Sequence, residues 1–269
     1  MKDIYKQVEK NIDNLVDKNV GFSIPVTHEE IEEFKVTHKI SPERLFMPPP
    51  EWIPDNISGM KILLLAGAGG QQAPLFAALG ADVTVIDISD KMLEQDKIVA
   101  ERENLKINIE KGNICDLSRF SDVFFGLIIN PPSLFYVPDI MPIFRECHRA
   151  LKNGGIFIMS APNPINYICD YDGEKDIYIA RNKLPYISCE HENQGDWIEY
   201  GHTLESYIGG QIRCGFSIIG FYEERENEPC DTSFTTMAIK KIKNGVKFYG
   251  NTNFNRHVGS GENPCGKHS

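Results

Sequence analysis

The 269-residue sequence contains no apolar run approaching the roughly 20 residues that cross a bilayer; the longest candidate, 62–66, ends at once in glycines. The start, MKDIYKQVEKNIDNLVDK, mixes both charge signs and lacks the apolar block of a signal peptide. A cytoplasmic protein with no membrane span is expected. The seven cysteines are odd in number and include no CxxC pair, which suits a reducing compartment better than a disulfide framework. Basic residues are scarce, 28 Lys and Arg against 38 Asp and Glu, so the net charge of -10 would repel a phosphate backbone. No nucleic-acid partner is expected, and KKIKNGVK at 240–247 reads as a solvated strand end. His257, Cys265 and His268 match no ligand spacing, so no metal is expected either.

What is present is an ordinary globular composition, 41% hydrophobic and 25% charged. Residues 1–58 read as a helical cap and arm. Ile4, Val8, Ile12, Leu15 and Val16 recur at helical spacing, Thr27 with Glu30 forms a capping box, and Ser41-Pro42 signals another helix start. MPPPEWIPDN then breaks helix repeatedly, making an extended arm with an aromatic Trp52 before the core begins. From Lys61, apolar strands alternate with helices: KILLLAG, QQAPLFAALG, DVTVIDI, DKMLEQDKIVAEREN, INIEKGNI, FGLIINPP, PDIMPIFRECHRALK, GGIFIMSAP. That rhythm predicts an α/β fold with a mostly parallel sheet covered on both faces. After Pro162 the rhythm fails until a helix, TLESYIGGQIRCG, and two strands, FSIIGFYEE and TTMAIKKI, which the short RENEPCD link pairs as an antiparallel edge. Residues 244–269, rich in Gly, Asn and Ser, read as a loose tail.

The stretch LLLAGAGGQQAPLFAALGADVTVIDIS has the order of an adenosine-binding unit: strand, glycine turn, helix, and a strand ending on an acid. Glycines let the backbone approach the ligand, the helix N-terminus offers free amides, and the acid accepts bonds from ribose hydroxyls. Asp87, 17 residues beyond Gly70, is that acid; as a structural residue it would be a helix-start charge. Gly67 and Gly69 fit the first two places of a GxGxxG dinucleotide fingerprint, but Gln72 occupies the third.

Four segments in order, the glycine turn, VTVIDISDKML, EKGNICDL, and FGLIINPPSLFYVPD with FRECHRALKNGGIFIMS, make residues 60–162 resemble class I S-adenosylmethionine-dependent methyltransferases of the type 11 group, which includes quinone-biosynthesis enzymes. The resemblance implies a Rossmann-like, doubly wound, seven-stranded sheet over 59–243 with an antiparallel edge strand, a substrate-covering insertion at 163–203, and S-adenosylmethionine as cofactor. It places the cofactor against Ala66, Gly67, Ala68, Gly69 and Gly70, the ribose on Asp87, the adenine beside Ile88 and Met92, and the adenine edge at Asn113, Ile114 and Cys115. The family's usual acid before its glycines is replaced by Leu64, and two of the glycines by Ala66 and Ala68. In the family that acid helps to hold the cofactor's amino group; here either Gln71, Gln72 or the carbonyl of Ala66 or Asn130 takes its place, or affinity for the cofactor is reduced.

The acceptor is read as a small molecule, because the N-terminal helices and the insertion would enclose a pocket. Methyl transfer from a sulfonium needs chiefly alignment, and a base only where the nucleophile must lose a proton. Tyr136, and His202 with Glu199 and Tyr200 near it in sequence, are the candidates for acceptor chemistry; a lone histidine before a helix is more often a cap or packing residue. NPPS, 130–133, resembles the turn of enzymes that methylate an adenine or glutamine amino group, with Ser133 where those carry an aromatic ring. Two further readings remain: an NAD-dependent oxidoreductase, and a non-catalytic relative that keeps the adenosine ligand.

Overall fold

The structure is a computed structural model that describes residues 2–19, 21–39, 48–188, 198–224 and 233–241. Two helices, α1 (Lys2–Asp17) and α2 (His28–Thr37), precede the core. The Thr27 hydroxyl accepts from the Glu30 amide at 3.2 Å while the Glu30 carboxylate accepts from the Thr27 amide at 2.7 Å, so α2 opens on the expected capping box. The core then runs β1 (Lys61–Leu65), α3 (Gln72–Ala78), β2 (Asp82–Asp87), α4 (Asp90–Arg102), β3 (Ile107–Lys111), β4 (Phe125–Asn130), α5 (Met141–Ala150) and β5 (Leu151–Pro162). α6 (Ile165–Ile168) and two small hairpin sheets follow, β6 (Cys169–Asp172) with β7 (Ile177–Ala180) and β8 (Tyr186–Ser188) with β9 (Glu199–Gly201). The chain closes through α7 (Gly210–Arg213), β10 (Phe216–Glu224) and β11 (Ser233–Lys240).

The central sheet has seven strands in the order β10-β11-β5-β4-β1-β2-β3. β1 to β5 are parallel, and β11 runs antiparallel to both β5 and β10. The antiparallel strand is therefore the penultimate one, with β10 at the margin. A hairpin must be antiparallel, so seating its second strand beside β5 returns the first parallel to the rest.

The unbroken apolar run of β1 is explained by burial on both faces. Leu63 and Leu65 pack in one cluster with Ile143, Phe144 and Cys147 of α5. Ile62 and Leu64 pack in the other with Phe76 of α3, Val99 of α4, and Ile31 and Phe34 of α2. The N-terminal region is thus packed onto the core, and Gly220 of β10 leaves room for Trp52, whose ring would lie 2.8 Å from a side-chain carbon there. The helix expected at 203–215 carries a π-helical turn, Glu205–Gly209, before α7. Gly210 lets that segment approach Phe144, 3.0 Å from where its side chain would start.

The helix start at Ser41, the ring of Trp197 and the tail 244–269 lie outside the described residues. Among the described residues, no helix is long and apolar enough to cross a membrane.

Candidate active site

At the end of β1 the backbone turns into the left-handed region, with φ of 53° at Ala66, 52° at Ala68, 35° at Gly69 and 74° at Gly70. Glycine adopts that conformation freely, whereas an L-residue pays roughly 1–2 kcal/mol. Ala66 and Ala68 are thus strained where the resembling family has glycines. Glycine is required at the next two positions for space as well: a side-chain carbon on Gly69 would lie 3.0 Å from Met92 Cα, and one on Gly70 3.0 Å from Val99 Cγ2. Gly70 is held from both sides, its amide donating to Asp96 Oδ1 at 2.8 Å and its carbonyl accepting from the Val26 amide at 2.9 Å. Asp96 is fully buried, and burial pushes its carboxyl up to about 8, so it is mostly protonated at pH 7.

A cavity of about 190 Å³ opens over the carboxyl ends of the parallel strands. This is where the sheet order reverses between β1 and β4 and where open α/β sheets bind ligands. One wall is Ala66 and Ala68, continued by Asp87, Ile88 and Met92 after β2 and by Gly112, Asn113 and Ile114 after β3. The facing wall is Pro132, Ser133 and the turn Phe135, Tyr136 and Val137 after β4, and α1 contributes Tyr5, Val8 and Ile12. Asp87 is buried, and its Oδ1 accepts from the Ser89 amide at 2.8 Å. Burial pushes its carboxyl up to about 6, against the pull of the Ser89 and Ile88 amides, with the charge of Asp13 adding to the rise. Burial also raises the Tyr5 phenol to about 12 and the Tyr136 phenol far above its ordinary range. Both tyrosines are neutral hydroxyls at physiological pH.

An adenosine ligand needs an apolar slot, an acceptor for ribose hydroxyls and close backbone. Ile88, Met92 and Ile114 offer the first, Asp87 the second, and the turn at Ala66 and Ala68 the third. Of the residues expected from sequence, Ala66, Ala68, Asp87, Ile88, Met92, Asn113, Ile114 and Tyr136 line this one cavity. Gly67 sits behind the turn, where a side-chain carbon would lie 3.2 Å from Val85 Cγ2. Cys115 stands at the edge, its thiol 3.6 Å from the Tyr5 hydroxyl and its amide on Asn113 Oδ1 at 2.9 Å. Asn130 is buried; its side-chain nitrogen donates to the Leu65 carbonyl at 3.3 Å and to Ser133 Oγ at 2.8 Å, closing the NPPS turn on β1.

Three expected residues have other places. Gln71 is fully buried and donates from its amide to the carbonyls of Gly21 at 3.2 Å and Ile24 at 2.9 Å, tying the N-terminal segment to the turn instead of reaching into the cavity. Gln72 is buried in the first turn of α3 and does not line the cavity. His202 follows β9 and is buried; a carbonyl only accepts, so its Nε2–H donates to the Val137 carbonyl at 2.8 Å. Burial lowers the proton affinity of that imidazole. His202 braces the cavity wall at Val137 from behind and is not itself among the residues lining the cavity. Tyr5, Val8 and Ile12 were not singled out for the site, although the N-terminal helices were expected to help enclose a pocket. Their helical spacing with Ile4 and Leu15 showed an apolar face, but not what it covers.

Residues 64–159 match the family described as a methyltransferase domain. An uncharacterized methyltransferase of Bacillus subtilis (strain 168), YbaJ, is 38% identical over 206 residues, 72% of this chain and 80% of its own length. The ubiquinone biosynthesis O-methyltransferase of Nitrosomonas europaea is 30% identical over 154 residues, 55% of this chain and 63% of that protein. An S-adenosylmethionine-dependent methyltransferase structure from Mesorhizobium loti superposes with a TM-score of 0.62 at 21% identity, covering 70% of this chain and 94% of that one; it shares the fold.

Proposed function

This chain belongs to the class I S-adenosylmethionine-dependent methyltransferases, and we propose that it methylates a small, largely apolar acceptor enclosed beneath α1. The cofactor is S-adenosylmethionine, and the dinucleotide reading falls with the family membership. When bound, it supplies a sulfonium methyl group open to in-line displacement by an acceptor lone pair. The remaining work is the chain's own. Asp87 accepts from the ribose hydroxyls, Ile88, Met92 and Ile114 clasp the adenine, and Asn113 with the backbone of Ile114 and Cys115 meets its edge. The backbone of 66–70 receives the amino-acid arm, with Asn130 bracing the adjoining strand end.

On the far side, Phe135, Val137, Val8 and Ile12 exclude water, and the Tyr136 hydroxyl donates to the acceptor and orients it. Alignment and exclusion of water carry the rate, as suits a reaction whose leaving group is already activated. The observation that carries this reading is the cavity itself: strand ends, the turn after β4 and a separate helix enclose one mainly apolar space. Such a space suits a small ligand rather than a protein or nucleic-acid surface. The relatives named ubiquinone biosynthesis O-methyltransferases favour a hydroxyl group as the nucleophile, its proton released to solvent and S-adenosylhomocysteine departing as the leaving group. The hairpin of β8 with β9 forms part of the acceptor's cover, through the brace from His202, which follows β9, to Val137.

The test is a thermal-shift comparison of S-adenosylmethionine, S-adenosylhomocysteine and NAD, followed by labelled-methyl transfer to small hydroxylated aromatics and to peptide and DNA controls. Stabilisation by the first two ligands alone, with label entering the small acceptors, is expected. Stabilisation without turnover on any small acceptor would favour the non-catalytic relative, and label in DNA or peptide would overturn the acceptor class.

A further inference from the structure

α1 lies outside the segment 64–159 that matches the methyltransferase domain, yet Tyr5, Val8 and Ile12 form part of the cavity wall. Its apolar face is small: Ile12 and Leu15 cluster with Met92, with Val8, Val16 and Tyr136 packed beside them. Polar ties make up the rest, and they differ along the helix. At the carboxyl end the chain is rooted. Ser23 Oγ donates to the Leu15 carbonyl at 3.3 Å, Gln71 holds the carbonyls of Gly21 and Ile24, and Val26 pairs with Gly70. Toward the amino end the polar ties are the exposed pair of Lys111 with Glu9 at 2.7 Å and the part-buried approach of the Tyr5 hydroxyl to the Cys115 thiol at 3.6 Å.

Between root and tip stands Asp13. Its Oδ1 accepts from Ser89 Oγ at 2.6 Å and from the Lys91 amide at 3.4 Å. The same Ser89 donates its own amide to Asp87 Oδ1 at 2.8 Å, and its Oγ caps α4 by accepting from the Met92 amide at 3.1 Å. A continuous path therefore runs from the helix through Asp13 and Ser89 to the carboxylate on the cavity wall.

We propose that α1 is the gate of the cofactor cavity and that Asp13 is its latch, a positioning residue that couples closure of the helix to Asp87. This rests on the placement of the ribose at Asp87. The root makes the helix pivot about its carboxyl end, and few buried apolar contacts resist the opening, the condition under which segments open locally. Tyr5, Val8 and Ile12 stand over part of the cavity, so ligand leaves more slowly while the helix is closed. Breaking the latch thus acts first on dissociation, and on dissociation of product as well as of cofactor.

The experiment follows dissociation of S-adenosylhomocysteine by surface plasmon resonance, with hydrogen exchange of α1 measured in the presence and absence of that ligand. Asp13→Ala is expected to speed dissociation roughly 10-fold and to raise exchange in α1 of the complex. Asp13→Asn, which keeps an acceptor oxygen, and Asp17→Ala, which removes only the exposed pair with Lys91, are expected to stay near wild type. If the alanine variant does not fold, Asp13→Ser, too short to reach Ser89, takes its place. Unchanged dissociation in Asp13→Ala, or equal acceleration in Asp17→Ala, would overturn the latch while leaving the cofactor site standing. A wild-type protein that binds no S-adenosylhomocysteine would remove both.

Discussion

The two sides of the cavity are built from different materials. The side that we assign to the adenosine consists of strand ends and the turns after them: Ala66 after β1, Asp87 closing β2, Asn113 after β3. Their positions are set by strand register and by a sheet buried on both faces, so each is fixed by many neighbours at once. The side that we propose for the acceptor consists of α1, the turn 134–137 and the brace from His202, none of which belongs to the central sheet. There single hydrogen bonds and a thin apolar contact decide the geometry. Substitutions on the first side should therefore act through chemistry, and on the second through looseness.

The sharpest way to break that contrast is Asp87→Ala. Loss of the charge-assisted ribose bonds should weaken S-adenosylhomocysteine by roughly 1–3 kcal/mol, measured by calorimetry, with little change in melting temperature. In the wild type the same affinity should decline as pH falls through about 6, where the Asp87 carboxyl takes up its proton. Unaltered affinity in the variant would end the ribose assignment.

His202→Ala tests the other side. Removing the ring leaves the Val137 carbonyl buried without its donor, which should cost roughly 1–3 kcal/mol of stability. The acceptor's KM should rise while cofactor affinity holds and the pH profile of turnover keeps its shape. A profile that loses a neutral limb would return His202 to the role of base.

Asp96 sharpens the comparison further, since it stands behind the glycine turn. Its carboxyl is raised to about 8, so the native state holds the proton more tightly than the unfolded chain does. Its contribution to stability is full below the ordinary carboxylate pKa and is lost as pH rises toward 8. Asp96→Asn, neutral throughout, should flatten that decline and raise Tm at pH 8.5 by about 2–4 °C per kcal/mol recovered; superimposable pH profiles of wild type and variant would show that Asp96 carries no such linkage.

The smallest effect is expected from Ala68→Gly. Relief of the left-handed strain, partly offset by the added freedom of the unfolded glycine, should stabilise by about 1 kcal/mol or less. A fall in Tm would mean that the Ala68 methyl packs usefully against the cavity wall.

Much of the core was legible because its signals are local. KILLL and FGLIIN can only be doubly buried strands, Thr27 and Glu30 form the predicted capping box, and Asp87 comes where an acid should end the second strand. Gln71 misled for a physical reason. A long amide after a glycine turn reaches a ligand or a neighbouring backbone equally well, and here the segment at 21–24, some fifty residues earlier, claims it. His202 misled in the same way, because the carbonyl it braces is 65 positions away.

Periodicity and turn chemistry, read within a window of a few residues, were enough to determine a mostly parallel α/β sheet with a glycine turn and an acid at its strand ends, since each strand and turn carries its own reason to form. What covers those strand ends was decided only by tertiary packing. The apolar stripe of α1 is compatible with any apolar surface, and only the fold brings Asp13 to Ser89, Tyr5 to Cys115 and the Val137 carbonyl to His202.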